Sequence, residues 1–344
     1  MVIDEGVELD MVEWLQGLGG WLDGPMGWLS QLGNPLVFVV IVAGVFWSID
    51  SGVGARMGLF TFAAGSVNEV LKRAFSAPRP FWVSTEVESI GEGSTAFGMP
   101  SGHAVGALAW LVIAVRAKRR WVWAVTGLLA ALIALSRVYL GAHFPSQVVV
   151  GLGVGALLLV AFVRLESLFL DRFRRLDLVA QLGVVTAATG VLLFAGWLSV
   201  ISVDEASIEA EWAANAAGQI DDSEPFEPAD GNDVAATVGI FAGSAVGLVF
   251  LAWSGGFDSA GPAWKRLVRF IVGFAVVVIA LAVVGIAGGA LGVDDGQGTA
   301  GVIWEFTSTA ITGLAIFFLA PTLFRRVGLA ATAGAQEAMR TTAA

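Results

Sequence analysis

The sequence predicts an all-α integral membrane protein with about nine transmembrane helices, and three observations carry that expectation. Of its 344 residues 56% are hydrophobic and only 14% charged, whereas about a quarter of a soluble domain is charged; mean hydropathy is +0.79. The apolar residues form continuous runs close to the ~20 residues a helix needs to cross a bilayer, not the alternating pattern of a membrane barrel. Lysine and arginine gather at every second turn of the chain, as cytoplasmic loops require.

Taken in order, residues 1–33 hold no basic stretch of the kind that opens a secretory signal. Met11, Trp14, Leu15, Leu18, Trp21 and Leu22 recur at helical spacing until Gly24-Pro25. They predict an amphipathic helix at the membrane interface with its tryptophans at headgroup depth; a helix lying on the protein's own surface satisfies the same pattern. Nine apolar segments follow, at 34–50, 55–75, 101–117, 121–141, 145–165, 180–202, 234–254, 267–291 and 302–323. The first is short and the third is thinned by polar residues at its start.

With the N-terminus outside, Arg56, Arg116 to Arg120, Arg164 to Arg175, Lys265 to Arg269 and the residues from Arg325 onward fall inside. Most acidic residues then fall outside, including the 85–92 loop, the run from Asp204 to Asp233, and Asp294-Asp295. That run reads as a solvated outer loop or lid. Only Lys72, Arg73, Arg79 and Arg137 break the rule, so something other than topology must hold them on the outer face. Arg73 fits a side chain that snorkels from a helix end. Glu69, one turn before Lys72, suits an ion pair; Glu305, near the outer end of the last span, is ambiguous.

There are 29 acidic against 19 basic residues, a net charge of −10, and just three lysines. Acidic, lysine-poor surfaces suit high salt, and no basic patch apart from the membrane flanks invites nucleic acid. With no cysteine and two histidines, disulfides and thiolate metal sites are excluded and a histidine metal cluster is not expected. The Gly151 to Gly155 run follows no strand, so it predicts close helix packing rather than nucleotide binding.

The chemistry gathers at one membrane level. Lys72 and Arg79-Pro80 close the second span, Pro100-Ser101-Gly102-His103 opens the third, and Arg137 and His143 lie where the fourth ends and the fifth approaches. Two arginines and a lysine neutralise a tetrahedral oxyanion. Ser101-Gly102 at a helix start adds backbone N–H donors. Two histidines allow one nucleophile and one proton donor. This is an inventory for phosphoryl transfer without a cofactor.

Lys72-x6-Arg79-Pro80, Pro100-Ser101-Gly102-His103 and Ser136-Arg137-x5-His143 resemble the three motifs of the type 2 phosphatidic acid phosphatase superfamily, which also includes haloperoxidases. The resemblance covers about residues 55–165 and implies the superfamily's six-helix phosphatase core, followed here by additional C-terminal helices. It implies that His143 is the nucleophile, forming a phosphohistidine, and that His103 protonates the leaving oxygen. Lys72, Arg79 and Arg137 would hold the phosphoryl oxygens, with Ser101 and the Gly102 amide assisting. Many members carry aspartate four residues after the nucleophile, where this chain has Gln147. An amide oxygen there would orient the imidazole without adding charge, whereas an amide turned the other way would fix the wrong tautomer. Gln147 thus leaves three readings: a working neutral orienter, a slow enzyme, or a site that has lost activity. The surroundings of all three motifs resemble the glucose-6-phosphatase branch, in which glutamine occupies this slot.

The expected organisation is an interfacial segment at 1–33, a phosphatase core at 34–202, an acidic outer loop at 203–233, C-terminal transmembrane helices at 234–324 and a polar tail at 325–344. The expected function is hydrolysis of a phosphate monoester or diphosphate. An outward site favours a lipid or isoprenoid phosphate in the outer leaflet, while the branch resemblance favours a sugar phosphate. A non-catalytic anion-binding protein or transporter keeps the same residues, and a haloperoxidase is disfavoured by the membrane setting.

Overall fold

The computed structural model describes residues 5–91, 93–220, 225–293 and 298–332. Asp294-Asp295 and the tail beyond Thr332 lie outside the described residues. All regular structure among the described residues is helical. In chain order the helices are α1 (Glu5–Gln16), α2 (Asp23–Gln31), α3 (Pro35–Gly44), α4 (Ser51–Phe75), α5 (Pro80–Val83), α6 (Gly102–Ala107), α7 (Trp110–Ala117) and α8 (Arg120–Tyr139). They continue with α9 (Pro145–Arg175), α10 (Leu178–Ile201), α11 (Ala210–Ala216), α12 (Asn232–Trp253), α13 (Ala263–Leu291), α14 (Gly298–Leu314) and α15 (Ala320–Arg326).

Six helical stretches are long and apolar enough to cross a membrane: α8, α9, α10, α12, α13 and the run Gly298–Arg326. A seventh arises if the pair Gly20–Gln31 and Pro35–Ile49, bent by 53°, is one broken span. This is fewer than the nine expected, for physical reasons. The segment expected at 55–75 is a continuous helix of 25 residues, α4, but Arg56, Asn68, Glu69, Lys72 and Arg73 dilute its apolar character. The segment expected at 101–117 divides into α6 and α7, each short.

The chain forms two compact units. The first comprises Met1–Phe38, Val67–Phe162 and Ala195–Asp230, and the second Val39–Ser66, Val163–Phe194 and Gly231–Ala344. All motif residues belong to the first. Its core brings together Val12 of α1, Phe81 and Trp82 of α5, Phe97, Val138 of α8 and Trp212 of α11. Inside the acidic 203–233 segment, α11 is therefore packed rather than solvated. Asn215 Nδ2 donates to the Trp82 carbonyl at 2.9 Å, and Gln219 Oε1 accepts the Ser89 amide at 2.7 Å.

The N-terminal segment also takes part in this packing. Trp14, Trp21 and Trp28 are exposed, but Val12 and Glu8 are buried. Glu8 accepts the Ser146 N–H at 2.6 Å and the Ser146 hydroxyl at 2.8 Å. The carboxylate thereby caps the positive N-terminal end of α9, where an anion is stabilising. Tyr139 OH of α8 lies 2.6 Å from Asp23 Oδ1, and Gln16 Nε2 donates to the Glu88 carbonyl at 2.7 Å.

Two glycines set how closely α9 approaches α6. A Cβ on Gly151 would stand 2.8 Å from the Ser101 carbonyl oxygen, and one on Gly155 would stand 3.0 Å from that of Val105. The small residues let the backbones meet, as expected for tight membrane packing. The second unit uses the same device, with Gly239 and Gly243 of α12 against the backbone of α14, while Trp47 Nε1 donates to the Ile316 carbonyl at 2.9 Å.

Gly151→Val should lower the thermal unfolding midpoint and cut activity, overpacking costing about 1–3 kcal/mol. Gly153→Val, where a Cβ meets nothing within 4 Å, should be tolerated. Differential scanning fluorimetry of the two variants in detergent separates these outcomes.

Candidate active site

The turn between α8 and α9 forms the centre of the site. Helix α8 ends where Gly141 adopts a left-handed φ of 68°, a conformation that is inexpensive only for glycine. The chain then folds back, so that the Ala142 and His143 amides both donate to the Arg137 carbonyl at 3.1 Å. The third motif is therefore one closed structure: the main chain of its arginine holds the main chain of its histidine. Pro145 begins α9, where a proline suits the first helical turn.

The Gln147 side chain, one turn into α9, fixes the imidazole. Its Nε2 donates to the Pro78 carbonyl at 2.6 Å, and its Oε1 accepts the Phe144 amide at 3.2 Å. The Pro78 carbonyl can only accept and the Phe144 N–H can only donate, so the orientation of the amide is determined. The atom 3.1 Å from His143 Nδ1 is accordingly the amide oxygen. It requires a proton on Nδ1 and leaves Nε2 with its lone pair. Gly98 makes room for this arrangement, because a Cβ there would stand 2.5 Å from Gln147 Oε1.

Arg79 faces the free nitrogen. Its Nη1 lies 3.4 Å from His143 Nε2 and donates to the Ala142 carbonyl at 3.0 Å. Its Nε donates to the Ala96 carbonyl at 2.6 Å, and Nη2 to that of Phe97 at 3.3 Å. Carbonyls thus hold the guanidinium rigidly. Burial, then the positive charges of Arg79, Arg137 and His103, hold His143 well below the usual imidazole pKa. The imidazole is neutral at pH 7.

The remaining groups converge on the same place. His103 stands on the first turn of α6, with Arg137, Arg79 and Lys72 as its electrostatic neighbours. It packs against Gly33, where a Cβ would come within 3.1 Å of the imidazole Cδ2. Arg137 Nη1 donates to Ser30 Oγ at 2.5 Å, while its Nε and the Ser101 hydroxyl are buried without a hydrogen-bond partner among the described residues. The Ser101 amide is already used, donating to the Gln147 carbonyl at 3.1 Å. Lys72 Nζ donates to Glu69 Oε1 at 2.7 Å, so its ammonium is shared with a carboxylate. Arg73 does not snorkel: it is buried, pairs with Glu69 Oε2 at 3.2 Å and donates to the Asp230 carbonyl. Its cost is met internally because its position on α4 places it within the protein. Glu305 lies on α14, in the second unit.

All eight residues predicted from the sequence, Lys72, Arg79, Ser101, Gly102, His103, Arg137, His143 and Gln147, thus belong to one compact unit. Sequence reasoning missed Ser30 and Gly33, which meet Arg137 and His103 from a distance in sequence, and Glu8, which holds Ser146 beside them; none carries a motif signal. A polar cavity of about 900 Å³ is lined by residues of the 85–93 loop and by Gly218, Gln219 and Ile220, and by none of the eight.

Residues 54–170 match the model of the PAP2 superfamily, and residues 235–332 that of the PAP2 superfamily phosphatase, transmembrane extension. Phosphatidylglycerophosphatase B of Bacillus subtilis is 31% identical over 153 residues, covering 40% of this chain and 72% of that protein. The chain belongs to the PAP2 superfamily. It is a multi-span membrane protein whose PAP2 region carries all eight site residues. It is also similar to glucose-6-phosphatase 3 of Homo sapiens, at 29% identity over 179 residues, 44% of this chain and 51% of that protein. The undecaprenyl-diphosphatase of Sulfolobus acidocaldarius is 27% identical over 147 residues, 42% and 71% of the two chains. The match thus spans about half the length of the glucose-6-phosphatase relative.

Gln147→Asp should raise the pKa of His143, since a carboxylate stabilises the imidazolium. The imidazole is then protonated over a wider range, and the acid limb of kcat/KM should move to higher pH. Gln147→Leu should remove the orienting acceptor and lower kcat about 10²-fold or more. Both outcomes are read from pH–rate profiles.

Proposed function

We propose that this protein is a cofactor-independent membrane phosphohydrolase working through a phosphohistidine on His143. The observation that carries this reading is the lone pair of His143 Nε2, fixed by Gln147 and lying 3.4 Å from the Arg79 guanidinium. A phosphoryl group beside Arg79 meets the nucleophile directly. In the first step Nε2 attacks phosphorus, the bond to the leaving oxygen breaks, and His103 protonates that oxygen. In the second, His103 takes a proton from water, which attacks the phosphohistidine; inorganic phosphate leaves and the imidazole is restored. Arg79, Arg137, Lys72, the Ser101 hydroxyl and the Gly102 amide offset the charge on the equatorial oxygens, and such positioned charge does most of the work in phosphoryl transfer.

For the substrate we propose a lipid or isoprenoid phosphate in the outer leaflet. The distribution of basic residues supports an outward site, with the N-terminus outside and the C-terminus cytoplasmic. Such a site is reached directly by a flipped lipid and not by a cytoplasmic metabolite. The named activities of the Bacillus and Sulfolobus relatives agree with this reading. A sugar-phosphate substrate is favoured by a different observation, the similarity to glucose-6-phosphatases. The acidic, lysine-poor composition suits a high-salt setting.

The deciding experiment measures phosphate release by purified protein from phosphatidic acid, isoprenyl phosphates and diphosphates, and glucose 6-phosphate. The lipids should turn over fastest. Preference for glucose 6-phosphate would establish the second substrate, and no turnover on any of them, with orthovanadate still bound, would make the protein an anion-binding scaffold.

His143→Ala should lower kcat by at least about 10³-fold on every substrate. His103→Ala should cost about 10²–10⁴-fold with alcohol leaving groups and much less with p-nitrophenol, which needs no proton. Equal losses on both kinds of substrate would remove the acid role from His103.

A further inference from the structure

Asn68 lies on α4 one turn before Lys72 and is 2% exposed. Its carboxamide oxygen is buried with no hydrogen-bond partner among the described residues. Its Nδ2 stands 3.3 Å from where a Cβ on Gly102 would be, so the amide lies against the N-terminal turn of α6, beside His103. Ser101 Oγ and Arg137 Nε are likewise buried and unpaired. Of the six such atoms among the described residues of the unit that carries the motifs, Ser101 Oγ and Arg137 Nε belong to motif residues, and Asn68 Oδ1 belongs to the side chain that abuts Gly102 of the second motif. A buried polar group without a partner is costly, and in a native protein it calls for an explanation.

We propose that Asn68 is a further phosphate-binding residue, its carboxamide donating from Nδ2 to a phosphoryl oxygen held beside the Gly102 amide. The two carboxamides of the site then differ in kind. Gln147 is locked by partners on both of its ends, and its oxygen works as a fixed acceptor. Asn68 has no bond holding its oxygen, so the amide turns at little cost to present whichever end the ligand needs. An ionised phosphate presents only acceptors, and so it draws the NH2. A neutral donor fits this place because Glu69, on the same turn of α4, already engages Lys72 and Arg73. Asn68 adds a hydrogen bond to the anion without adding a further cation. It occupies no slot of the three motifs, and its only trace in the sequence is a polar residue four positions before Lys72.

This assignment rests on the phosphohydrolase reading and is tested beside it with full-length wild type, Asn68→Leu, Asn68→Asp and His143→Ala. Asn68→Leu should lower kcat/KM about 10–100-fold and raise the inhibition constants of orthovanadate and inorganic phosphate in parallel, at an unchanged thermal midpoint. Asn68→Asp is isosteric but acceptor-only when ionised. It should be the weaker enzyme at neutral pH and recover as pH falls, because the protonated carboxyl donates as the amide did. Activity lost only in step with thermal stability, or unchanged vanadate inhibition in both variants, overturns the proposal. If wild type turns nothing over, the phosphohydrolase reading fails by itself. Asn68 is then judged by vanadate and phosphate binding in calorimetry, where equal affinity for wild type and Asn68→Leu, or no binding to wild type, counts against it.

Discussion

The three hydrogen bonds of the Gln147 carboxamide are the constraint on which the site depends. Pro78 comes from one stretch of the chain and His143-Phe144 from another, and one side chain sets the two relative to one another. A carboxylate would place the same acceptor next to His143 and add charge, but it could not donate to the Pro78 carbonyl at neutral pH. Glutamine gives up the electrostatic push on the imidazole and gains a tie to the segment that delivers Arg79. The His143 imidazole and its neighbouring cation Arg79 are thereby positioned by one residue. The neutral orienter is also consistent with how His143 is activated, since a buried imidazole among arginines needs no carboxylate to stay neutral.

Close backbone contact is what allows so many polar groups to converge beside hydrocarbon. Gly151 and Gly155 seat α6 on α9, Gly98 yields its side-chain space to Gln147, and Gly33 does the same for the His103 ring. Each glycine removes a methyl group's worth of separation between a functional residue and its support. The cations are handled by the same logic of short internal ties. Carbonyls hold Arg79, a hydroxyl holds Arg137, and Glu69 serves both Lys72 and Arg73.

The all-helical class and the candidate site residues were legible in the sequence for different reasons. Long apolar runs dictate helices whatever their neighbours, and the motif residues announce themselves as charges where topology forbids them. The count of spans was less legible, because the C-terminal part of α4 buries Ser66, Asn68, Glu69 and Arg73 and α6–α7 breaks after Ala107. Hydropathy registers composition and cannot see that a polar face has partners. Arg73 was misjudged on the same ground, its pairing with Glu69 and Asp230 depending on tertiary placement. The orientation of Gln147 was open in the sequence because it is decided by Pro78, 69 positions away. Amphipathic spacing in residues 1–33 showed a helix with an apolar face, but not that Val12 joins the core around Trp82.

Glu8 meets Ser146 across 138 positions of sequence. During synthesis the first helix emerges long before its partner exists, so the N-terminal end of α9 cannot acquire its carboxylate until most of the first unit has been made and threaded. Until then the carboxylate is hydrated by water. Contacts of such separation close late, because the chain between them must be ordered before they repay its entropy. Assembly of the catalytic turn is thereby timed by the arrival of a helix rather than by the turn itself.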